Sequence, residues 1–162
     1  MALRGGKPSE TLKTLNDTLC ADDLNDMFVT IWMGILDITT GEITAANAGH
    51  EYPFILDESG NYTLFKDPHG LVVGALPSVK YIDYSFTLPK GGRLFVYTDG
   101  VAEAENDKET LFGTDRLMEV LNRYKDNEPK NLVGNIKKEV DSFANGMDQF
   151  DDITMLSLWY KG

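Results

Sequence analysis

The stretch RLFVYTDGVAEAEN, Arg93 to Asn106, decides the fold. Leu94-Phe95-Val96-Tyr97 is an apolar run too short for a helix and rich in β-formers, so it reads as a buried strand. The run stops at Thr98-Asp99-Gly100. A carboxylate, Asp99, therefore stands at a strand end. Gly100 beside it lets the backbone turn or approach a ligand closely. An acid at the exposed end of a buried strand suits a metal or a catalytic group, and an acid-glycine pair after a strand is also an ordinary turn.

Upstream, Pro89-Lys90-Gly91-Gly92 turns the chain into this strand from another at Tyr81 to Leu88. That strand alternates, with Tyr81, Asp83, Ser85 and Thr87 on one face and Ile82, Tyr84, Phe86 and Leu88 on the other. Lys66 to Ser78 carries Pro68, Gly70, Gly74 and Pro77 and reads as loop. Tyr52 to Leu56 and Tyr62 to Phe65 form a hairpin about Asp57 to Asn61. Further back, MFVTIWMGILD, Met27 to Asp37, is the longest apolar run, and both its faces are expected to be covered. Gly34 within it marks a bulge or a close crossing. Glu42 to Ala46 returns as its hairpin partner after Thr39-Thr40-Gly41, and Asn47-Ala48-Gly49-His50 follows as a loop.

The first helix opens at Pro8-Ser9, buries a stripe of Leu12, Leu15 and Leu19, and ends near Cys20, because Asp22 and Asp23 oppose its dipole. Residues 1–7 read as a tail or a cloning remnant, and residues 8–162 as one domain. Downstream of the central strand, Glu103 to Gly113 is acidic loop. Two helices follow, Thr114 to about Tyr124 with Thr114 as cap, and one from Pro129 with Val133, Ile136, Val140 and Phe143 at helical spacing. Asp151-Asp152 then opens a last strand, Ile153 to Trp159. One helix, hairpin-linked strands, two helices and a strand make an α+β fold with mainly antiparallel sheet.

Composition bounds the function. There are 26 acidic residues against 15 basic, a net charge of -11, which argues against nucleic acid or an anionic membrane as the main partner. It suits a cation or a basic protein patch, and it is equally an ordinary soluble surface. The single cysteine, Cys20, excludes an internal disulfide and fits a reducing compartment. No apolar run reaches spanning length and no signal peptide is evident, so a cytoplasmic protein is expected. Cys20, Trp32, Trp159 and the methionines read as core. His50 reads as a turn histidine capped by backbone or as a phosphate contact, and His69 as solvated. With two separated histidines and one cysteine, a zinc site is not expected.

Two acidic sites remain, Asp99 where one strand finishes and Asp151-Asp152 where another starts. If those strands are antiparallel neighbours, both sites share one end of a sheet. Carboxylates brought so close repel and raise one another's pKa. A hard divalent cation such as Mg²⁺ or Mn²⁺ relieves this through oxygen ligation. Two such ions can hold a bridging water, lower its pKa and aim it at a phosphoryl centre. The bland alternative is a solvated entry turn at Asp151-Asp152.

NAGHEYP (Asn47 to Pro53), YTDGVAEAEN (Tyr97 to Asn106), LFGTDRL (Leu111 to Leu117) and FDDITMLSL (Phe150 to Leu158) occur in that order behind MFVTIWMGILD. Together they resemble the SpoIIE-type, RsbU-like branch of the PPM (type 2C) metal-dependent serine/threonine phosphatases, over nearly the whole chain. The resemblance implies two mainly antiparallel sheets packed face to face and flanked by helices. It implies two Mn²⁺ or Mg²⁺ ions in the complete domain, and a metal-activated water that attacks phosphoserine or phosphothreonine. Asp99 and Asp151 match the family's metal-ligand positions. Asp152, Gly100 and Glu103 are expected to support or complete that set, and His50 to lie near substrate. The implied substrate is a phosphorylated regulatory protein of the anti-anti-sigma type.

Members of the branch also carry a GDFYD-like strand segment and a DVSGKG-like segment that supply further metal ligands, and neither stands before Pro8. The expectation is therefore a domain lacking its N-terminal strands, weakly active or inactive by itself, with sheet edges that pair chains into a homodimer. A non-catalytic interaction module that keeps the fold is the competing reading.

Overall fold

The computed structural model describes residues 6–21, 27–149 and 151–162. The element order is α1 (Pro8–Ala21), β1 (Ile31–Leu36), β2 (Glu42–Ala48), β3 (Phe54–Leu56), β4 (Tyr62–Leu64), β5 (His69–Gly70), β6 (Tyr84–Thr87), β7 (Arg93–Tyr97), α2 (Asp99–Ala102), α3 (Thr114–Arg123), α4 (Pro129–Ala144) and β8 (Met155–Trp159). This is mixed α+β with two antiparallel-rich sheets and helices, as expected. Most of the tail expected at residues 1–7, together with Asp22, Asp23 and Phe150, lies outside the described residues.

Two compact units divide the chain. The first takes the residues up to His50 together with Lys66–Thr87. Its sheet centres on β2, with β1 antiparallel on one side and β6 antiparallel and β5 parallel on the other. The long apolar run is not covered on both faces. β1 is an edge strand with no fully buried residue, and Ile35 on it is 40% exposed. The buried strand is β2, EITAANA, whose Ala45, Ala46 and Ala48 are fully buried. Position in the sheet decides burial: small side chains flanked by strands on both sides are enclosed, while larger ones at an edge are not. Gly34 forms no bulge; it pairs with Ala45 in register, and the Trp32 ring lies over it, 2.5 Å from where a Cβ would sit.

α1 buries the expected stripe in part: Leu12 is enclosed and Leu19 packs against the same core, but Leu15 does not join them. Leu12 and Asn16 are buried, whereas Leu15 is 43% exposed. Asn16 is accommodated because its amide is satisfied: Nδ2 donates to the Leu76 carbonyl at 2.9 Å and Oδ1 accepts from Gly74 N–H at 2.9 Å.

The second unit is Glu51–Phe65 with Leu88–Gly162. Its sheet runs β4-β3-β7-β8, antiparallel throughout, so β7 is a central strand as expected. Phe95 is fully buried and Tyr97 nearly so, in a core shared with Phe54, Tyr62, Leu117, Leu121, Leu132, Ile136 and Val140. α4 therefore turns Leu132, Ile136 and Val140 inward, and Val133 is only partly buried. α3 starts at Thr114, but Gly113 occupies the N-cap position with φ 79° and no side chain caps the helix. The positive φ makes the bend that a threonine cap was expected to make.

The candidate metal centre

β7 and β8 are neighbours with Tyr97 opposite Met155, so the segments after β7 and before β8 emerge at one end of the sheet. There the chain does not make a plain turn. Thr98 leaves the strand at φ -87° and ψ 157°, and Asp99 opens α2, a single helical turn closed by the Glu103 N–H on the Asp99 carbonyl at 2.8 Å.

Three bonds from Thr98 tie this corner to the acidic pair. Its N–H donates to the Thr154 carbonyl at 3.0 Å. Its Oγ1 donates to the Asp152 carbonyl at 2.9 Å and accepts from the Thr154 N–H at 2.9 Å. Gly100 is buried against the same segment. A Cβ there would lie 2.7 Å from the Asp152 carbonyl oxygen and 3.0 Å from that of Asp151. The glycine is thus needed for close approach of two backbones, one of the two reasons the sequence suggested.

Asp99 and Asp151 each direct Oδ1 to the N–H of the following residue, at 2.9 Å to Gly100 and 2.7 Å to Asp152. Asp151 and Asp152 are exposed and Asp99 is half-buried. Gly100, Glu103 and Asp151 line one cleft of about 200 Å³ with Ala104, Glu105 and Leu111. The corner therefore brings the Asp99-Gly100 turn onto Asp151-Asp152 and sets Glu103 in the adjoining cleft. Its donors are carboxylate and carbonyl oxygens, which suit a hard divalent cation. Among the described residues no three His, Cys, Asp or Glu side chains gather as a metal cage. Two carboxylates with water is nonetheless a donor set that Mg²⁺ accepts.

His50 belongs to the first unit. Its N–H is capped by Asn47 Oδ1 at 2.8 Å, and its Nδ1 lies 3.1 Å from Thr30 Oγ1. Sequence reasoning passed over the group beneath this loop, Asp67. Its carboxylate is fully buried and takes two bonds from Asn47 Nδ2, at 3.0 and 3.1 Å, and one from the Tyr84 hydroxyl. Trp32 Nε1 donates to that hydroxyl at 2.7 Å. Burial, with the Asp67 carboxylate beside it, pushes the Tyr84 phenol up. His69 is not simply solvated: its Nδ1 lies 3.7 Å from Asp67 and its Nε2 meets the His50 carbonyl. The signal available in the sequence was an aspartate preceding a proline in a glycine-rich loop, which is ordinary turn composition.

The family model for stage II sporulation protein E (SpoIIE) matches residues 1–161. The chain belongs to the SpoIIE family. It is 36% identical over 133 residues to Protein IcfG of Synechocystis sp. (82% of this chain, 21% of that protein). It is 28% identical over 159 residues to phosphoserine phosphatase RsbU of Bacillus subtilis (97% of this chain, 46% of that protein). The chain thus spans less than half the length of these relatives. Among solved structures, the SiaA-PP2C domain of Pseudomonas aeruginosa superposes with a TM-score of 0.80 at 17% identity, over 94% of this chain and 61% of that one. The SpoIIE phosphatase domain of Bacillus subtilis with a fragment of its regulatory domain gives 0.77 at 20%, over 95% and 45%. The chain shares the α+β fold of these PP2C phosphatase domains over the part of them that it covers.

Proposed function

We propose that this SpoIIE-family chain forms part of a metal-dependent protein phosphatase that hydrolyses phosphoserine or phosphothreonine on a regulatory protein of the anti-anti-sigma type, in the cytoplasm. One observation carries the reading: Thr98 and Gly100 hold the Asp99 turn against Asp151-Asp152, at one end of the β7–β8 pair. The similarity to RsbU, named a phosphoserine phosphatase, supports the choice of substrate class. The acidic surface suits a partner with a basic patch.

In this reading Asp99 and Asp151 hold Mn²⁺ or Mg²⁺, with Asp152, the Gly100 backbone and Glu103 supporting or completing the set. A divalent ion bound there supplies Lewis-acid polarisation of a phosphoryl oxygen and a nucleophile at neutral pH. The protein's part is positioning. The Gly100 and Asp152 N–H groups each hold one oxygen of the preceding aspartate and so help to orient its carboxylate. Glu103 lines the adjoining cleft, where in this reading it orients the turn or a water. His50, whose N–H is held by Asn47, is assigned to the substrate side by the family resemblance alone.

A second reading, a binding module without turnover, draws on the lack of three clustered ligand side chains among the described residues. Phosphate release from a phosphoserine peptide decides between them. In the full-length protein with Mn²⁺, turnover is expected, and Asp99→Asn abolishes it. Turnover unaffected by Asp99→Asn overturns the ligand assignment, and no turnover under any metal favours the module. The exposed edge of β1 pairs copies of the chain in this proposal, and a monomer in sedimentation equilibrium refutes that part.

A further inference from the structure

Threonine at a helix N-cap ordinarily turns its hydroxyl onto the N–H of the second or third helical residue. Thr98 holds the N-cap position of α2 and makes no such bond. Its hydroxyl is spent entirely on the other acidic segment, as donor to the Asp152 carbonyl and acceptor from the Thr154 N–H. The geometry shows why a side chain is used there. The β7–β8 ladder pairs Tyr97 with Met155, and beyond that point the Thr98 carbonyl is already committed to the Val101 N–H, at 3.0 Å. Backbone pairing continues on one side only, through the Thr98 N–H on the Thr154 carbonyl, and the hydroxyl takes the place of the Thr98 carbonyl as acceptor from the Thr154 N–H.

The hydroxyl joins two particular places. Thr98 immediately precedes Asp99, and the carbonyl it binds belongs to the residue immediately after Asp151. Both aspartates sit just beyond the β7–β8 ladder, where each carboxylate takes a bond from the N–H of the next residue, the Asp99 carbonyl accepts from Glu103 and the Asp151 carbonyl from Gln149, and none of these bonds joins the two segments to each other. Gly100 lets the two backbones meet but supplies no side chain to hold them. We infer that Thr98 is a positioning residue for metal binding: its hydroxyl sets the separation and orientation of the Asp99 and Asp151 carboxylates without touching the ion. The inference rests on the reading of these two aspartates as ligands. Groups that orient metal ligands from behind typically contribute about 10- to 100-fold to affinity.

The test uses the full-length protein, stripped of metal. Mn²⁺ binding is read from the electron paramagnetic resonance signal of the free ion. Thermal unfolding of the metal-free protein is followed separately. Thr98→Val keeps the shape and removes the hydroxyl; it is expected to weaken Mn²⁺ binding by about 10- to 100-fold. Thr98→Ser, which restores the hydroxyl, recovers most of that loss. Asp99→Asn serves as the control and weakens binding at least as much. If Asp99→Asn leaves binding unchanged, the ligand reading fails and this inference with it. If Asp99→Asn weakens binding while Thr98→Val matches the wild type, the inference alone is overturned. A Thr98→Ser variant as weak as Thr98→Val overturns it too, since the hydroxyl is then not what matters. Should Thr98→Val prove unfolded without metal, Thr98→Ala takes its place with the same expected outcomes.

Discussion

Gly100 shows how one atom is decided by its surroundings. In isolation, alanine at a helical position is favoured over glycine by roughly 0.5–1 kcal/mol. Here the added Cβ would meet two backbone oxygens, at 2.7 and 3.0 Å, and neither is the movable end of a side chain. Overpacking of that kind costs about 1–3 kcal/mol, so the clash outweighs the propensity gain. Gly100→Ala is expected to lower the midpoint of urea unfolding, and an unchanged or raised midpoint would show the contact to be loose. Asp67 makes the complementary case for a polar atom. Its buried carboxylate satisfies Asn47 and Tyr84 at once. Asp67→Ala removes hydrogen bonds to a charged group worth about 1.5–3 kcal/mol each and leaves the partners' donors buried. A loss of more than about 3 kcal/mol in denaturant unfolding is the expected result, and less than about 1 kcal/mol would mean that water replaces the carboxylate.

At the scale of elements, α4 separates pattern from contact. Both Leu132 and Val133 belong to apolar positions of the helix, but Leu132 is fully buried and Val133 only partly. Truncating a buried leucine costs about 2–5 kcal/mol, through lost transfer energy and the cavity left behind. Leu132→Ala should therefore destabilise the protein well beyond Val133→Ala; equal effects would place the helix in a different rotation. Arg93 is the counterpart in β7. It is 5% exposed, its guanidinium stacks 4.3 Å from the Trp159 ring centre, and it donates to the Asn127 carbonyl. Stacking suits arginine burial because the planar guanidinium is weakly hydrated. Periodicity placed β7 correctly but is silent about Arg93. Nothing local distinguishes a buried arginine at a strand start from a solvated one.

For the molecule as a whole, tyrosine ionisation gives a pH dependence. Burial raises the phenols of Tyr62, Tyr81, Tyr84 and Tyr97 above the ordinary value of 10. The folded state thus resists losing these protons while the unfolded chain loses them near pH 10. The stabilisation is complete below that pH and is lost as pH rises toward the folded values. Thermal midpoints are expected to fall steeply above about pH 10, with these four of the seven tyrosines ionising only as the protein unfolds. Smooth titration of all seven in the folded protein, followed by absorbance at 295 nm, would contradict this.

The sequence by itself determined what rests on local periodicity and motif order: the buried strand at Leu94 to Tyr97, the acids at its end and before β8, the helices from Thr114 and Pro129, and the family. These are legible because side-chain alternation, helical spacing and turn chemistry act between near neighbours. Only the tertiary structure decided which apolar run is enclosed and which lies at an edge. It alone set the polar groups Asn16, Asp67 and Arg93 inside, and brought Thr98 and Gly100 against Asp152. Burial depends on what packs over a residue, and here those partners lie 54 residues away for Thr98 and Asp152, and 60 for Asn16 and Leu76. No window along the chain contains both halves of such a contact.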